Sequence, residues 1–276
     1  WDCQEVPPAH YIEWDFNRVY IDMWWEFQPR EIYLKYAQEE LEHLIEDAVK
    51  IRTRSDVPYA LYYSVGIDSS LIDTFHTFEK LSYEDKDYER EFKKIFPKIC
   101  WHLDYPVKSF SAFGLWKLAE QAHDKGYKVV ISGEGADELF GGYVRYVAPE
   151  FNRKAQIMFP SYTKMFQPAK SVNEYGMEEF NGNMRELLRM GDRMSSAWGI
   201  ENRCPFLARR IIEFAFSLPE EAKIDFLETK VLLRRILEKR NPSYRHIEKK
   251  GLYCSVNEWL GIKDKFSKDA YLNYQN

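Results

Sequence analysis

A group of hydroxyl, glycine and acidic residues directly follows an apolar segment in the first third of the chain. Residues 59–63 are apolar and aromatic, and residues 64–70 read SVGIDSS. A strand that runs into a Ser/Gly turn and then into a helix presents backbone N–H groups and hydroxyls that can hold a pyrophosphate. The turn lacks the lysine of the G-x-x-x-x-G-K-[ST] loop, so it would be a phosphate loop of another type. A plain strand–turn–helix connection capped by serine is the alternative interpretation.

The acidic residues of this region indicate a metal ion. Asp68 has no cation beside it in the sequence, so a metal ion is its natural partner. A second apolar strand, predicted at 129–131, leads into a glycine-spaced turn that carries Glu134, Asp137 and Glu138. Three carboxylates so close together repel one another in a low-dielectric environment. A Mg²⁺ ion shared by Asp68, Asp137 and nucleotide phosphates would remove that repulsion, whereas a solvated acidic loop is the alternative.

Five blocks of the sequence resemble the synthetase domain of the asparagine synthetases and occur in that family's order. They are residues 64–70, 131–143, 192–207, 228–234 and, more weakly, 249–256. The first block is similar to the family's SGGLDSS pyrophosphate loop, and the second, ISGEGADELFGGY, is similar to its second ATP motif. The others resemble DRxSMAxGxExRxPFLD, K-x-x-L-R and the R-K-K-x-G-F-x-V-P tail. The chain is therefore identified as a member of this family, within the N-type ATP pyrophosphatase (PP-loop) superfamily.

The resemblance implies an ATP- and Mg²⁺-dependent ligase. ATP would adenylate a carboxylate and release pyrophosphate, and an amine or ammonia would then displace AMP. The residues that match the family's nucleotide site are Ser64, Gly66, Asp68, Ser69, Ser70, Ser132 and Gly133. Asp68 and Asp137 match its metal ligands. Lys230 matches its catalytic lysine and Glu134 the acid paired with it, although Lys230 by itself would be interpreted as a surface lysine on a helix.

Departures from the family pattern concern the first loop and the acceptor. Val65 stands where the family has glycine, and a β-branched residue disfavours positive φ, so either Val65 stays extended or the loop is altered. The segment that resembles the family's aspartate-binding segment is changed at Tyr105, Ser109 and Gly114. Ala208 replaces a further aspartate. We therefore expect an acceptor pocket that is not a standard aspartate pocket.

Three functions are consistent with these residues. The first is amide formation of the asparagine synthetase type. The second is lactam or macrocycle formation, in which an intramolecular amine replaces ammonia. The third is a degenerate ATP-binding subunit that regulates a partner, which Val65 and the changed acceptor segment motivate. The presence together of Asp68, Glu134, Asp137 and Lys230 favours an enzyme.

Apolar periodicity predicts the elements that position these residues. Helices are expected over residues 30–53, 84–96 and 111–125. Pro97 is expected to end the second helix and Gly126 the third. Strands that alternate with helices indicate an α/β fold, a parallel sheet flanked by helices, with ligands at the carboxyl ends of the strands. The resemblance implies the adenine nucleotide alpha-hydrolase-like form of this fold. The C-terminal half is predicted to be helix-rich.

The domain organisation also follows from the resemblance. Residues 1–30 contain VPPAHY, which is similar to the end of the family's glutaminase domain, and are expected to be a linker or the tail of an absent glutaminase domain. Residues 31–276 would form the ATP pyrophosphatase domain. The expected partners are a small-molecule carboxylate, an amine or ammonia donor, a separate glutaminase domain or subunit, and a second copy in a homodimer.

Composition excludes several other classes of protein. The net charge of −5 argues against a nucleic-acid partner and against an anionic membrane surface. The apolar runs are too short for a membrane span. The 4 cysteines have no C-x-x-C spacing and are interpreted as reduced thiols, which favours a cytoplasmic protein.

Arg203 and the pair of lysines at 249–250 each allow two interpretations. Arg203 is either a structural ion-pair residue or a site residue. Lys249 and Lys250 either neutralise leaving pyrophosphate or belong to a solvated basic loop.

Overall fold

The chain alternates strands and helices. The computed structural model describes residues 5–86, 88–105, 107, 109–143, 171–225, 228–244, 252 and 254–259. The strands are His10–Trp14 (β1), Val19–Met23 (β2), Tyr59–Tyr62 (β3), Lys80–Leu81 (β4), Val129–Ile131 (β5) and Glu201–Arg203 (β6). The helices are Leu34–Arg52 (α1), Ile67–Asp73 (α2), Glu89–Leu103 (α3), Ser111–Asp124 (α4), Ala136–Phe140 (α5), Val172–Asn181 (α6), Asn183–Ser196 (α7), Arg209–Ser217 (α8), Val231–Arg240 (α9) and Val256–Trp259 (α10).

Strands β3 to β6 form one parallel sheet in the order β4-β3-β5-β6. The chain passes from β3 to β4 on one side and then returns to β5 on the other side of β3. The strand order therefore reverses between β3 and β5, and parallel α/β sheets bind ligands outside the carboxyl ends of the strands at such a point. The two polar loops follow these two strands. The predicted α/β fold, a parallel sheet flanked by helices, is confirmed, as is its adenine nucleotide alpha-hydrolase-like class.

Side chains of the central strands alternate between the two faces of the sheet. Leu61 and Ile131 are fully buried in one cluster with residues of α1, α2, α8 and α9. Ala60 and Val130 face the other side, where Leu118 of α4 covers them. Burial on both faces is typical of parallel sheets. This packing fixes the points from which the two polar loops begin.

Strands β1 and β2 form a separate antiparallel hairpin, with His10 opposite Met23. Its apolar side chains are largely exposed, as Trp14 is 63% and Phe16 82% exposed. A two-stranded hairpin gains little stability from its own contacts. The hairpin lies within residues 1–30, and the domain boundary proposed at residue 30 stays a prediction.

Helix α3 continues through Pro97, so the prediction that the helix ends there is wrong. Proline removes one backbone hydrogen bond of a helix. Ile95 before it and Ile99 after it are both buried in one cluster, and this packing favours a continuous helix over an end at the proline. Helix α4 ends as predicted: Gly126 follows it in the left-handed conformation, with φ +81°, as is common after the end of a helix.

Among the described residues, no helix combines the length and the apolar character that a membrane crossing requires. The described cysteines, Cys100, Cys204 and Cys254, are free thiols.

Candidate active site

The loop after β3 is held by its own hydroxyls. The Ser64 N–H donates to Ser69 Oγ (3.2 Å), and the Gly66 N–H donates to Ser64 Oγ (3.3 Å). Ser69 Oγ in turn donates to the Gly66 carbonyl (3.3 Å). Gly66 is the N-cap of α2 and adopts an extended conformation. These bonds keep the loop in a tight turn, and Ser64, Gly66 and Ser69 line the cavity described below.

Val65 is strained within this loop. Its φ is +62°, in the left-handed region, and its side chain is 49% exposed. Of the two outcomes expected for this position, the extended conformation is wrong. The left-handed conformation costs a residue with a Cβ roughly 1–2 kcal/mol. The loop therefore keeps a turn that suits glycine although a β-branched residue occupies it.

Ser70 differs from the other serines of the loop. It is fully buried, and its hydroxyl donates to Tyr63 Oη (3.3 Å). It does not line the cavity described below. The helical turn of α2 thus directs the Ser70 side chain into the core, and the nucleotide-binding role of Ser70 stays a prediction.

The loop after β5 packs directly onto the first loop. A β-carbon built on Gly133 would lie 2.7 Å from Asp68 Cβ, a distance that real side chains do not tolerate. Gly135 has φ +90, and a β-carbon there would lie 2.9 Å from Leu207 Cγ. Because Gly133 has no side chain, the start of the acidic turn can lie against Asp68, whereas Gly135 lets the turn pack against Leu207.

Lys230 brings the charges of the two loops together. Its Nζ lies 2.7 Å from both Asp68 carboxylate oxygens and 2.6 Å from Asp137 Oδ1. Lys230 is only 3% exposed and precedes α9 in the left-handed conformation, with φ +56°. Burial alone would lower the pKa of Lys230, but the carboxylates of Asp137 and Asp68 outweigh it and raise that pKa above its ordinary value. The ammonium is therefore charged and joins two segments that are far apart in sequence.

This arrangement corrects two expectations. A metal ion was expected as the natural partner of Asp68, but the Lys230 ammonium lies against both Asp68 and Asp137 and supplies one positive charge to the pair. Glu134, which was expected to pair with Lys230, contacts other residues in this structure: Asn202 Nδ2 donates to its Oε2 (3.3 Å), as does Cys204 Sγ (3.5 Å).

Glu134 is poised to gain or lose a proton near neutral pH. Burial raises the pKa of Glu134 to about 7, and repulsion from Glu138 adds to this, although hydrogen bonds from Cys204 and Asn202 act in the opposite direction. Burial, and after it Asp137, also raise the pKa of Glu138. The Glu138 carboxylate accepts a hydrogen bond from Tyr143 Oη (2.5 Å). The acidic turn therefore carries carboxyl groups of different proton affinity.

One cavity of about 450 Å³ lies at the carboxyl ends of β3 and β5. The predicted site residues that line it are Ser64, Gly66, Asp68, Ser69, Ser132, Gly133, Glu134, Asp137 and Lys230. The structure thus brings together two loops and a lysine from three separate parts of the sequence. The role of each residue stays a prediction.

Other cavity residues had no predicted role. Met184, Leu187 and Met190 on α7 form an apolar wall, and Gly191 lies beside them: a β-carbon there would be 3.1 Å from Glu134 Oε1. Their spacing of three residues on a helix is a signal of one shared face, but core packing produces the same spacing.

Gly142 was also missed. A β-carbon on Gly142 would lie 2.8 Å from Asp137 Cα, and closer still to Asp137 Oδ1 and to Lys230 Cε. The pair of glycines at 141–142, directly after the acidic turn, was the available signal. Only glycine leaves room for the lysine at this position.

Arg203 has a structural role. Its guanidinium donates to the carbonyls of Arg52 and Arg54 (2.9 Å each) and forms an ion pair with Glu201. It does not line the cavity. Of its two interpretations, the structural ion pair is the one the structure supports. Lys249 and Lys250 lie outside the described residues.

The carboxylates of the cavity fit a magnesium ion bound together with phosphates. No group of three or more His, Cys, Asp or Glu side chains that could hold a metal occurs in the described part of the chain. Mg²⁺ is commonly held by one or two carboxylates plus substrate phosphates, and Asp68 and Asp137 supply two hard oxygen donors. The chemistry of the donor set therefore suits a metal that arrives with a nucleotide.

The fold and the cavity define a class of α/β protein with its site between two adjacent parallel strands. Comparison with known proteins gives the family. The asparagine synthase family model matches residues 40–77, 87–181 and 164–270, and the chain belongs to this family, as the five sequence blocks predicted.

Relatives of this chain include several asparagine synthetases described as glutamine-hydrolyzing. The chain is 26% identical to asparagine synthetase 1 of Bacillus subtilis, with 90% of the chain and 56% of the relative covered. It is 27% identical to asparagine synthetase 1 of Lotus japonicus, with 97% and 52% covered. A shorter match to a putative asparagine synthetase 2 of Methanocaldococcus jannaschii is 35% identical and covers 45% of the chain and 30% of the relative. The chain thus spans about half the length of the first two relatives.

Proposed function

We propose that the chain is an ATP-dependent ligase that activates a carboxylate as an acyl-adenylate, releases pyrophosphate, and forms an amide as an amine displaces AMP. The observation that carries this proposal is the position of Lys230, whose ammonium lies between Asp68 and Asp137 on the wall of a cavity formed by both glycine loops. Membership of the asparagine synthase family supports it.

Each part of the cavity has a task in this reaction. The N–H groups and hydroxyls of Ser64, Gly66 and Ser69 would bind the phosphates that leave, and Ser132 and Gly133 would lie along the nucleotide. Asp68 and Asp137 would hold Mg²⁺, which compensates phosphate charge when bound. These donors stabilise negative charge that develops on the phosphates, and this is how a fixed polar site lowers a barrier.

Lys230 and Glu134 would act on the reacting groups. The Lys230 ammonium would lie opposite the charge that develops during adenylation. The Glu134 carboxyl has a pKa of about 7, which suits it to accept a proton from the attacking amine near neutral pH. Both side chains line the cavity, beside the space proposed for the substrate.

The carboxylate substrate would differ from free aspartate. The apolar wall of Met184, Leu187 and Met190 near Glu134 favours a substrate with an apolar body. The changes at Tyr105 and Ser109, in the segment that resembles the family's aspartate-binding segment, also support a substrate other than free aspartate. The amine would be ammonia or, in a lactam- or macrocycle-forming relative, an amine of the substrate itself.

Pyrophosphate exchange tests the proposal. ATP, Mg²⁺ and a panel of carboxylates that includes aspartate, apolar acids and amino acids with an internal amine would be supplied, and exchange and AMP would be measured with and without ammonium. We expect exchange with at least one carboxylate, and its loss in Asp68→Asn and Lys230→Met. Stimulation by ammonium identifies an external amine. Tight nucleotide binding by calorimetry with no AMP from any substrate would overturn the proposal in favour of a regulatory ATP-binding subunit.

The partner proposal concerns residues 1–30. We propose that they are a linker or the tail of a glutaminase domain and that residues 31–276 are the ATP pyrophosphatase domain. A separate glutaminase domain or subunit would then supply ammonia, and a homodimer would be the assembly. Glutamine-dependent AMP formation after addition of a glutaminase tests the first point, and light scattering tests the second.

A further inference from the structure

We infer that Lys230 and the divalent metal compete for the same carboxylates, so that metal binding moves the Lys230 ammonium away from Asp68 and Asp137 and into the cavity. The inference rests on the proposed function only in its consequence: the lysine would be held away from substrate until the metal arrives. The competition itself concerns this chain's own residues and requires neither nucleotide nor turnover.

The distances place the Lys230 ammonium where a metal ion shared by the two carboxylates would bind. Lys230 Nζ lies 2.7 Å from both oxygens of Asp68 and 2.6 Å from Asp137 Oδ1, so the ammonium is centred between the two carboxylates. A Mg²⁺ ion bound by both carboxylates would have to lie about 2.0–2.1 Å from its oxygens and therefore in the same space. Two cations so close together would also repel each other.

The surroundings of Lys230 determine where it can go. On one side Gly142 packs so closely that not even a β-carbon fits between it and Lys230 Cε. On another side the two carboxylates close the site. Lys230 also lines the cavity, so its side chain can turn toward that space. A displaced ammonium would therefore face the space proposed for the substrate.

The charges of the cavity determine whether removal of the Lys230 charge strengthens or weakens metal binding. The described acidic lining residues are Asp68, Asp85, Glu134, Asp137 and Glu138, and the described basic ones are Lys230 and Arg234. Lys230 is in direct contact with both proposed metal ligands. Removing its charge leaves two carboxylates together without their ammonium, so a metal should bind more tightly although catalysis is lost.

Metal titration without nucleotide tests the competition. Mn²⁺ binding would be followed by electron paramagnetic resonance in wild type, Lys230→Met and Arg234→Met. We expect Lys230→Met to bind Mn²⁺ at least about 10-fold more tightly than wild type, because no ammonium must be displaced. Arg234→Met removes a charge from the same cavity without vacating the carboxylates, and we expect a change below about 3-fold. Equal gains in both variants, or weaker binding in Lys230→Met, would overturn the inference.

A measurement on wild type avoids dependence on the folding of the variant. Reductive methylation of lysines, mapped by mass spectrometry, would be compared in chelator, in Mg²⁺ alone and in Mg²⁺ with a non-hydrolysable ATP analogue. We expect Lys230 to be protected in chelator and modified once Mg²⁺ is present, whereas exposed Lys93 reacts equally in both. Protection of Lys230 that is unchanged by Mg²⁺, alone and with the analogue, would overturn the inference. If these results are as expected but no carboxylate supports AMP formation, the proposed function fails while the competition stands.

Discussion

Gly142 lies directly against Lys230, and no side chain fits between Gly142 and the lysine's Cε. A β-carbon at this position would also lie 2.8 Å from Asp137 Cα, which belongs to the backbone and cannot rotate away. Gly142 N–H donates to the Asp137 carbonyl (2.8 Å), so the close approach is held by the main chain. The position of the Lys230 ammonium thus depends on a residue that carries no chemistry of its own.

We predict that Gly142→Ala displaces Lys230 from Asp137 and lowers AMP formation by about 100-fold, because misplacement of about 1 Å at a reacting group has effects of that size. Pyrophosphate exchange measures the activity, and thermal unfolding measures the stability. Gly126→Ala is the matched control. Gly126 has φ +81, and a β-carbon there would have no neighbouring atom within 4 Å, so this variant should lose about 1 kcal/mol of stability and keep its activity. Similar activity in the two variants would show that Gly142 does not position the lysine.

We predict that Val65→Gly stabilises the protein by about 1 kcal/mol. Glycine removes the strain of the left-handed conformation at φ +62°. This gain in free energy exceeds the loss that comes from the entropy that glycine adds to the unfolded chain. Urea unfolding measures the change. Val57→Gly is the control, because Val57 is similarly exposed (42%) but has no positive φ, and it should lose about 1 kcal/mol. A loss of stability in both variants would contradict the strain at Val65.

We predict that Glu134→Gln removes a pH dependence of stability between pH 4.5 and about 7. The pKa of Glu134 in the folded protein, about 7, lies above the unfolded value of 4.5, so the folded state holds the proton more tightly. The contribution of the protonated Glu134 carboxyl to the free energy of unfolding is therefore complete below pH 4.5 and is lost as the pH rises through 7. Relative to wild type, Glu134→Gln should become more stable by roughly 2 kcal/mol over this window, because water in the cavity screens part of the effect. Unfolding curves at pH 4.5 and 7.5 measure it, and an equal difference at both values would contradict the prediction.

We predict that Lys223→Met stabilises the protein at neutral and acidic pH. Lys223 is 1% exposed, and no hydrogen-bond partner for its Nζ is found among the described residues. Burial lowers the pKa of Lys223 from 10.5 to about 7, and Glu220 offsets this only in part. The unfolded state thus binds the proton more tightly, and wild type gains stability as the pH rises from 7 to 10.5.

The gain from Lys223→Met should be up to roughly 4 kcal/mol at pH 6 and should shrink toward pH 10.5, as measured by urea unfolding. Lys93→Met is the control: Lys93 forms an exposed pair with Glu89, and its loss should cost about 0.5 kcal/mol or less. A gain in Lys223→Met that is the same at both pH values would show that packing, and not the buried charge, is responsible.

Local patterns were sufficient for the loops and for their position in the fold. An apolar strand followed by a Ser/Gly turn is visible in a few consecutive residues, and parallel strands place such turns at one edge of a sheet. The pattern could not separate Ser69 from Ser70. One helical residue step of about 100° directs Ser69 toward the loop and Ser70 into the core, and the packing of α2 sets that orientation.

No local sequence pattern could identify which cation lies against the acidic residues of the cavity. Adjacent acidic residues indicated that a cation must be present, and the family resemblance marked Lys230 as important. That the lysine itself forms ion pairs with Asp68 and Asp137, while Glu134 contacts Asn202 and Cys204, depends on segments more than 60 residues apart that meet only after folding.

Residue types and their short-range spacing therefore established the fold class, the family and nine of the residues that line the cavity. Folding established which charges touch, which hydroxyl is buried and which glycine makes room for the lysine. The physical reason is that the strand, turn and helix signals act within a few residues, whereas ion pairing and burial depend on distances of about 3–4 Å between distant parts of the chain.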